Sequence, residues 1–187
     1  MKVSTTPLAG VLLIEPRVFG DARGFFVESF ELGRYQSAGM KLPFVQDNHS
    51  RSQRGVLRGL HYQLRYPQGK LVRAARGVVF DVAVDIRRGS PQFGRHFSIA
   101  LDDVTCQQLY IPPGFAHGFC VLSESADFEY KCTDTYHPED DCGVLWNDPA
   151  LAIPWPIAAP SLSTKDQNYP PLHALPPERL PRYVGDA

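Results

Sequence analysis

The sequence predicts an all-β protein built as a barrel or sandwich with a few short helices, and three observations carry that reading. Its apolar runs are short and separated by Gly, Pro, Asn and Asp; one run alternates with a period of two; and a single short segment has helical character.

In chain order, the strand-length runs fall at residues 11–14, 24–30, 77–87, 95–101, 107–111 and 118–122. Each is bounded by residues that favour turns. The helix candidate is ELGRYQSAGM at 31–40, which Gly39 would end. The clearest strand is GVVFDVAVDIR. Val78, Phe80, Val82, Val84 and Ile86 share one face, read as core, while Val79, Asp81, Ala83 and Asp85 share the other, read as tolerating carboxylates. GSPQFG after it reads as a loop, with Gly89 and Pro91 setting the turn. From Pro154 onward proline becomes frequent, which excludes central strands and predicts an extended Pro-rich C-terminal tail wrapped on the body.

A chain of 187 residues is long enough for one sizeable core, and two independent domains would each be small. Hydrophobic residues at 43% and charged residues at 21% argue against disorder, and a net charge of -1 with a pI near 6.6 argues against general nucleic-acid binding. Cys106, Cys120, Cys132 and Cys142 have neither C-x-x-C spacing nor zinc-ligand spacing and are expected to be reduced packing residues. The N-terminal apolar run is broken by Glu15 and Pro16, and no run reaches transmembrane length, so no membrane association and a cytoplasmic address are expected.

The segment 46–76 concentrates Arg51, Arg54, Arg58, Arg65, Lys70, Arg73 and Arg76 with His61, and no acidic residue occurs between Asp47 and Asp81. In a chain of nearly zero net charge, this clustering describes a local anion site that also contains a candidate base.

Gly55 and His61, and then Pro112, Gly114 and His117, have spacings that resemble the two motifs of the cupins, small jelly rolls that often hold a metal. A metal cupin adds a second His two residues after the first, and a Glu shortly beyond. Here Gln63 takes the first place and Tyr66, Pro67 and Gln68 the second, and Val121 replaces the Asn of the other motif. The resemblance therefore implies a cupin-like jelly roll and no metal, because two histidines fall short of the three or four ligands that a divalent ion needs.

Longer blocks carry a more specific resemblance. RGFFVESF at 23–30, QDNHS at 46–50, GVLRGLHYQ at 55–63, QGKLVR at 68–73, IPPGFAHGF, EYKCTDTYHPE, VLWNDPAL and STKD follow one another as in the dTDP-4-dehydrorhamnose 3,5-epimerases. Membership in that family would imply conversion of dTDP-4-dehydro-6-deoxy-D-glucose to dTDP-4-dehydro-L-rhamnose by inversion at C3 and C5, without cofactor. The product would serve dTDP-L-rhamnose synthesis for a bacterial surface polysaccharide such as O-antigen. The resemblance implies His61 as base, Asp166 as its orienting carboxylate, Tyr130 as acid and Lys70 as the cation beside the keto oxygen. It implies substrate contacts from Arg23, Glu28, Gln46, Asp47, Asn48, Arg58, His117, Lys165 and Asp141, and stacking of Tyr136 on thymine. Asp141 is a shorter acid than the Glu that relatives often have there.

The resemblance further implies a homodimer in which the segment carrying Arg23 and Glu28 serves the neighbouring subunit. The chain is then expected to be one domain over 1–187: N-terminal strands and a dimer-forming arm over 1–50, the jelly-roll core over 51–150, and a tail closing the pocket over 151–187. Asp81 and His117 are expected to pair and shape the pocket. Related enzymes invert only C5 or only C3, and a single-site epimerase of a related dTDP-4-keto-deoxy sugar is the alternative activity. In a regular strand Arg58 and His61 would face opposite sides unless a turn at Gly59 intervened.

Overall fold

The computed structural model describes residues 1–40 and 43–185. Among them the first strands are β1 (Lys2–Thr5), β2 (Leu12–Glu15), β3 (Val18–Asp21), β4 (Gly24–Val27), β5 (Gln46–Gln53) and β6 (Leu57–Gln63). They are followed by β7 (Lys70–Arg76), β8 (Val78–Asp85), β9 (His96–Asp102), β10 (Gln108–Ile111), β11 (Phe115–Val121), β12 (Ser125–Cys132) and β13 (Asp141–Gly143). Two short helices, α1 (Leu32–Ser37) and α2 (Thr164–Gln167), lie before β5 and after β13.

Six strands form one antiparallel sheet in the order β1-β2-β10-β7-β12-β5, and five form a second in the order β13-β6-β11-β8-β9. Among the described residues the sheets do not close into a barrel; they face each other as a sandwich. Val72, Ala74, Leu109, Ile111 and Phe128 from the first sheet meet Val79, Ala83, Leu101, Phe115 and Phe119 from the second. Burying each of the larger of these side chains contributes about 1.5–3 kcal/mol, so this layer holds the sheets together.

The alternating strand is β8, and both of its faces are buried. The face read as core packs outward: Val82, Val84 and Ile86 are covered by Leu151 and Leu172, with Trp155, Leu175 and Leu180 packed alongside. The face carrying carboxylates points into the sandwich. Asp85 is fully buried there because the Arg87 guanidinium and the Ser90 hydroxyl donate to its oxygens at 2.7–3.0 Å. Arg87 also lies over the rings of Phe115 and Tyr183, at 4.4 and 4.9 Å, fastening the end of the chain to the body.

The predicted helix forms as α1, with Glu31 as N-cap accepting from the backbone N–H groups of Gly33 and Arg34 at 3.0 and 2.9 Å. Gly39 takes a left-handed φ of 100° just beyond it. Tyr35 and Met40 bury against Ile14, Leu71 and Tyr110 on the outer face of the six-stranded sheet. The run expected at 24–30 is strand only through Val27. It pairs with β3 alone, so this hairpin joins neither sheet and leaves Phe19, Phe25 and Phe26 at 49%, 60% and 67% exposure.

One irregularity shapes the molecule's interior. Between β6 and β11, His117 pairs with His61 and Phe119 with Arg58, so β6 uses one residue more than its partner. This bulge brings Arg58 and His61 to the same side of the sheet, where a regular strand would separate them. The Gly59–Leu60 peptide within it is cis. Gly59 has φ 140°, and the two backbones approach so closely that a Cβ on Gly118 would lie 2.8 Å from the Arg58 carbonyl oxygen and 3.0 Å from the Gly59 Cα.

Those neighbours are backbone atoms and cannot step aside, so Gly118→Ala is expected to lower the unfolding free energy by about 1–3 kcal/mol in urea titrations. Gly20→Ala, whose nearest neighbour would be 3.9 Å away, should stay within about 0.5 kcal/mol of wild type. Equal stability of the two variants would contradict the close crossing.

Candidate active site

The two sheets part at one end around a cavity of about 640 Å³, with Arg58, His61 and His117 on the five-stranded side and Ser50, Lys70 and Tyr130 on the six-stranded side. A second space of about 270 Å³ shares His61, Lys70, Tyr130 and Lys165 and adds Gln46, Asn48, Tyr136 and Asp141.

His61 Nε2 lies 2.6 Å from Asp166 Oδ1, although the residues are 105 apart in the chain. The Asp166 side chain is only 3% exposed and that of His61 28%. Asp166 is placed by α2, whose N-cap Ser163 accepts the Asp166 backbone N–H at 3.1 Å. The stretch carrying α2 is tied down on both sides. Leu57 N–H donates to the Ser161 carbonyl at 2.9 Å, Leu145 N–H to the Pro170 carbonyl at 2.9 Å, and Leu172 N–H to Asp148 at 2.7 Å. Burial raises the Asp166 carboxyl, but His61, Ser163 and Lys165 together outweigh it and hold the group below its ordinary value. An ionised carboxylate only accepts, so Nε2 of His61 is the nitrogen that donates in this pair, and Nδ1 is the one that a neutral ring would leave with a lone pair.

Lys70 opens β7. Burial pushes its ammonium down, with Cys132, Asp141 and Asp81 acting the other way. Among the described residues it makes no ion pair or hydrogen bond. Burial likewise raises the Tyr130 phenol, aided by Cys132 and opposed by Arg58, so its proton is retained. The Arg58 guanidinium donates to Ser52 Oγ at 3.1 and 3.2 Å and meets no carboxylate among the described residues.

His117 and His61 are direct cross-strand partners, and His117 has a carboxylate of its own. Its Nε2 is 2.9 Å from Asp81 Oδ2, and both side chains are buried. Burial lowers the His117 imidazole; Asp81 pulls it up, and Lys70 and His61 lower it further, leaving it below its ordinary value.

At the cavity mouth Tyr136 N–H donates to Gln46 Oε1 at 2.8 Å and its hydroxyl to Asp141 Oδ2 at 3.1 Å. The Lys165 ammonium also meets Asp141 Oδ2. The shorter acid therefore reaches both neighbours. Gln63, which takes the place of a second cupin histidine, is buried. It donates to the carbonyls of Tyr66 and Thr135 and accepts from His137 N–H at 2.8 Å, fixing the loop that presents Tyr136.

The basic segment does not stay together. Its residues alternate across three strands, so Arg51 and Arg73 point outward and pair with Asp127 and Glu129, each with a closest contact of 2.6 Å. Asp47 likewise faces out, paired with Lys131 at 2.8 Å, because it alternates with Gln46 and Asn48 along β5. Arg23 and Glu28 also lie away from this cavity: Arg23 sits at the hairpin turn paired with Asp21, and Glu28 pairs with Arg34 at 2.9 Å. Gln63, Ser163 and Tyr169, whose ring lies beside His61, are site residues that the sequence reading passed over. Ser163 stood in the open as a serine three residues before a carboxylate; Tyr169 carried no signal.

The model of the dTDP-4-dehydrorhamnose 3,5-epimerase family matches residues 5–174. This chain belongs to that family. The dTDP-4-dehydrorhamnose 3,5-epimerase of Pseudomonas aeruginosa is 57% identical over 170 residues, covering 90% of this chain and 94% of the relative. The crystal structure of dTDP-6-deoxy-D-glucose-3,5-epimerase from Legionella pneumophila, in complex with dTDP-4-keto-L-rhamnose, superposes with a TM-score of 0.96 at 52% identity. It covers 98% of this chain and 99% of its own. A 3'-monoepimerase from Streptomyces bikiniensis, in complex with dTDP-quinovose, superposes at 0.88 with 34% identity, covering 95% and 92%. The chain is thus an epimerase with the sandwich of its family.

His117 gives a stability signature. Its folded value lies below the ordinary value of about 6.5, so between the two the unfolded chain binds more protons and stability falls as pH drops. Urea titrations from pH 7.5 to 5.0 should show a decline that His117→Gln reduces, by at most about 1.4 kcal/mol per pH unit. Identical slopes in the two proteins would rule out a neutral buried imidazole.

Proposed function

We propose that this chain converts dTDP-4-dehydro-6-deoxy-D-glucose to dTDP-4-dehydro-L-rhamnose by removing and returning protons at C3 and C5, without a cofactor. The observation that carries the reading is the His61–Asp166 pair facing Tyr130 and Lys70, whose ammonium has no ion-pair partner among the described residues, across one cavity. Both carbons flank the C4 ketone, so their protons are acidic enough for a side-chain base. His61 Nδ1 takes the proton, Asp166 stabilises the imidazolium, and the electron pair moves onto the C4 oxygen. Lys70 stabilises that enolate as a fixed cation. Tyr130 returns a proton. Because His61 belongs to one sheet and Tyr130 to the other, a sugar ring lying between them meets base and acid on opposite faces, which inversion requires.

In the same reading Tyr136 stacks on thymine, Gln46, Asn48 and Asp141 hold the nucleotide end, His117 contacts the sugar, and Arg58 and Lys165 bind diphosphate. Arg23 and Glu28 do not reach this cavity, which supports a homodimer whose exposed aromatic hairpin completes the neighbouring site. We assign the enzyme to the cytoplasm and to one domain over 1–187. Its four cysteines are buried and unpaired, and among the described residues no helix is long and apolar enough to cross a membrane. Inversion at a single carbon is the second reading, favoured by the likeness to the monoepimerase.

Proton NMR in deuterated buffer separates the two: label at both C3 and C5 marks the double epimerase, label at one marks the single-site enzyme. His61→Ala should nearly abolish exchange at both carbons, and Asp166→Asn should lower kcat by about 10²- to 10⁴-fold. Tyr130→Phe should retain more exchange than net inversion; wild-type rates in His61→Ala or Tyr130→Phe would remove those roles. Arg23→Ala should raise KM with kcat nearly unchanged in a protein that light scattering shows to be a dimer; a monomer with full activity would end the shared-site assignment.

A further inference from the structure

We propose that Tyr169 is a positioning residue that keeps the His61 imidazole aimed at the substrate, an inference that rests on the epimerase reading above. A single hydrogen bond to Asp166 fixes one nitrogen of the ring but leaves the imidazole free to tilt about that bond. Tyr169 closes this freedom from the side. Its ring centroid lies 5.9 Å from that of His61 with the planes at 69°, an edge-on contact.

The space for that ring comes from Gly143. Gly143 is the direct cross-strand neighbour of His61, so the place where its side chain would stand is beside the imidazole. A Cβ there would collide with Tyr169 Cε2, Cζ and Cδ2. The tyrosine thus fills a slot that only glycine leaves open.

The backbone on either side is fixed as well: α2 precedes Tyr169, and the Pro170 carbonyl after it accepts from Leu145 N–H at 2.9 Å. The phenol oxygen is buried and makes no well-formed hydrogen bond among the described residues, although the Lys165 ammonium lies close enough to influence it. The contact with His61 is made by the ring, so shape is what acts there.

The test compares Tyr169→Phe and Tyr169→Ala by kcat and KM on dTDP-4-dehydro-6-deoxy-D-glucose, and by dTDP affinity from calorimetry. Tyr169→Phe should keep kcat within about twofold. Tyr169→Ala should lose about 10- to 100-fold in kcat, the scale of a small misplacement of a reacting group, while KM and dTDP affinity move less than about threefold. If circular dichroism shows Tyr169→Ala unfolded, Tyr169→Leu replaces it with the same expectation. Wild-type kcat in the Ala or Leu variant overturns the proposal. So does a loss confined to KM and dTDP affinity, or a Phe variant as impaired as Ala, which would transfer the role to the hydroxyl. Wild-type protein that binds dTDP but exchanges no proton at either carbon overturns the epimerase reading and this inference together; an active wild type beside a fully active Tyr169→Ala overturns this inference alone.

Discussion

A carboxylate with almost no access to water must be answered by donors, and Asp166 is answered by an imidazole from a strand 105 residues earlier in the chain. Much of the molecule's end can be traced to that requirement. The segment from Ser161 to Leu172 is pinned to the start of β6 and to the chain after β13, so α2 has one place to stand. Ser163 holds the Asp166 backbone, and the bulge at Gly59 turns His61 and Arg58 to the same side. Breaking the pair would leave a buried charge without its partner, which costs more than the pair itself contributes.

The sandwich supplies the second condition. Its inner layer is apolar where Val72, Leu109, Phe115 and Phe128 meet, and the strands β7, β11 and β12 that supply most of it also carry Lys70, His117 and Tyr130 into the cavity, whose wall Phe119 and Phe128 complete. Each strand crosses from one environment to the other within a few residues. The apolar positions provide the burial energy that holds the sheets together, and this is what lets the polar positions line a space open enough for a ligand.

Much of the strand content was legible wherever one or both faces needed apolar residues. β8, β9, β10 and β11 all announce themselves by Val, Ile, Leu and Phe. β5 does not, because QDNHSRSQ puts Gln46, Asn48, Ser50 and Ser52 toward the cavity and Asp47, His49 and Arg51 toward solvent, leaving neither face apolar. Its strand character comes entirely from pairing with β12. The two carboxylates of β8 stand on the face read as tolerating them, and that face is buried: Asp81 meets His117 as expected, while Asp85 is buried because Arg87 and Ser90 come to meet it. No local pattern encodes such partners. The pairing of His61 with Asp166 was legible only through family resemblance, and Tyr169 beside them not even by that route.

The charges inside the cavity also show what kind of ligand it is built to accept. Asp166 is matched by His61, Asp141 by Lys165 and Tyr136, and Asp81 by His117 through one oxygen, while among the described residues its other oxygen has no hydrogen bond. Among the described residues, Arg58 and Lys70 face no carboxylate at hydrogen-bonding distance. Keeping an ammonium in a buried wall is unfavourable, and the lowered value of Lys70 records that cost. The deficit is removed only when negative charge enters. A group that becomes an anion during reaction, as a ketone does on losing an adjacent proton, gains more from that waiting ammonium than the neutral ketone does, and this difference between reactant and transition state is what accelerates a reaction.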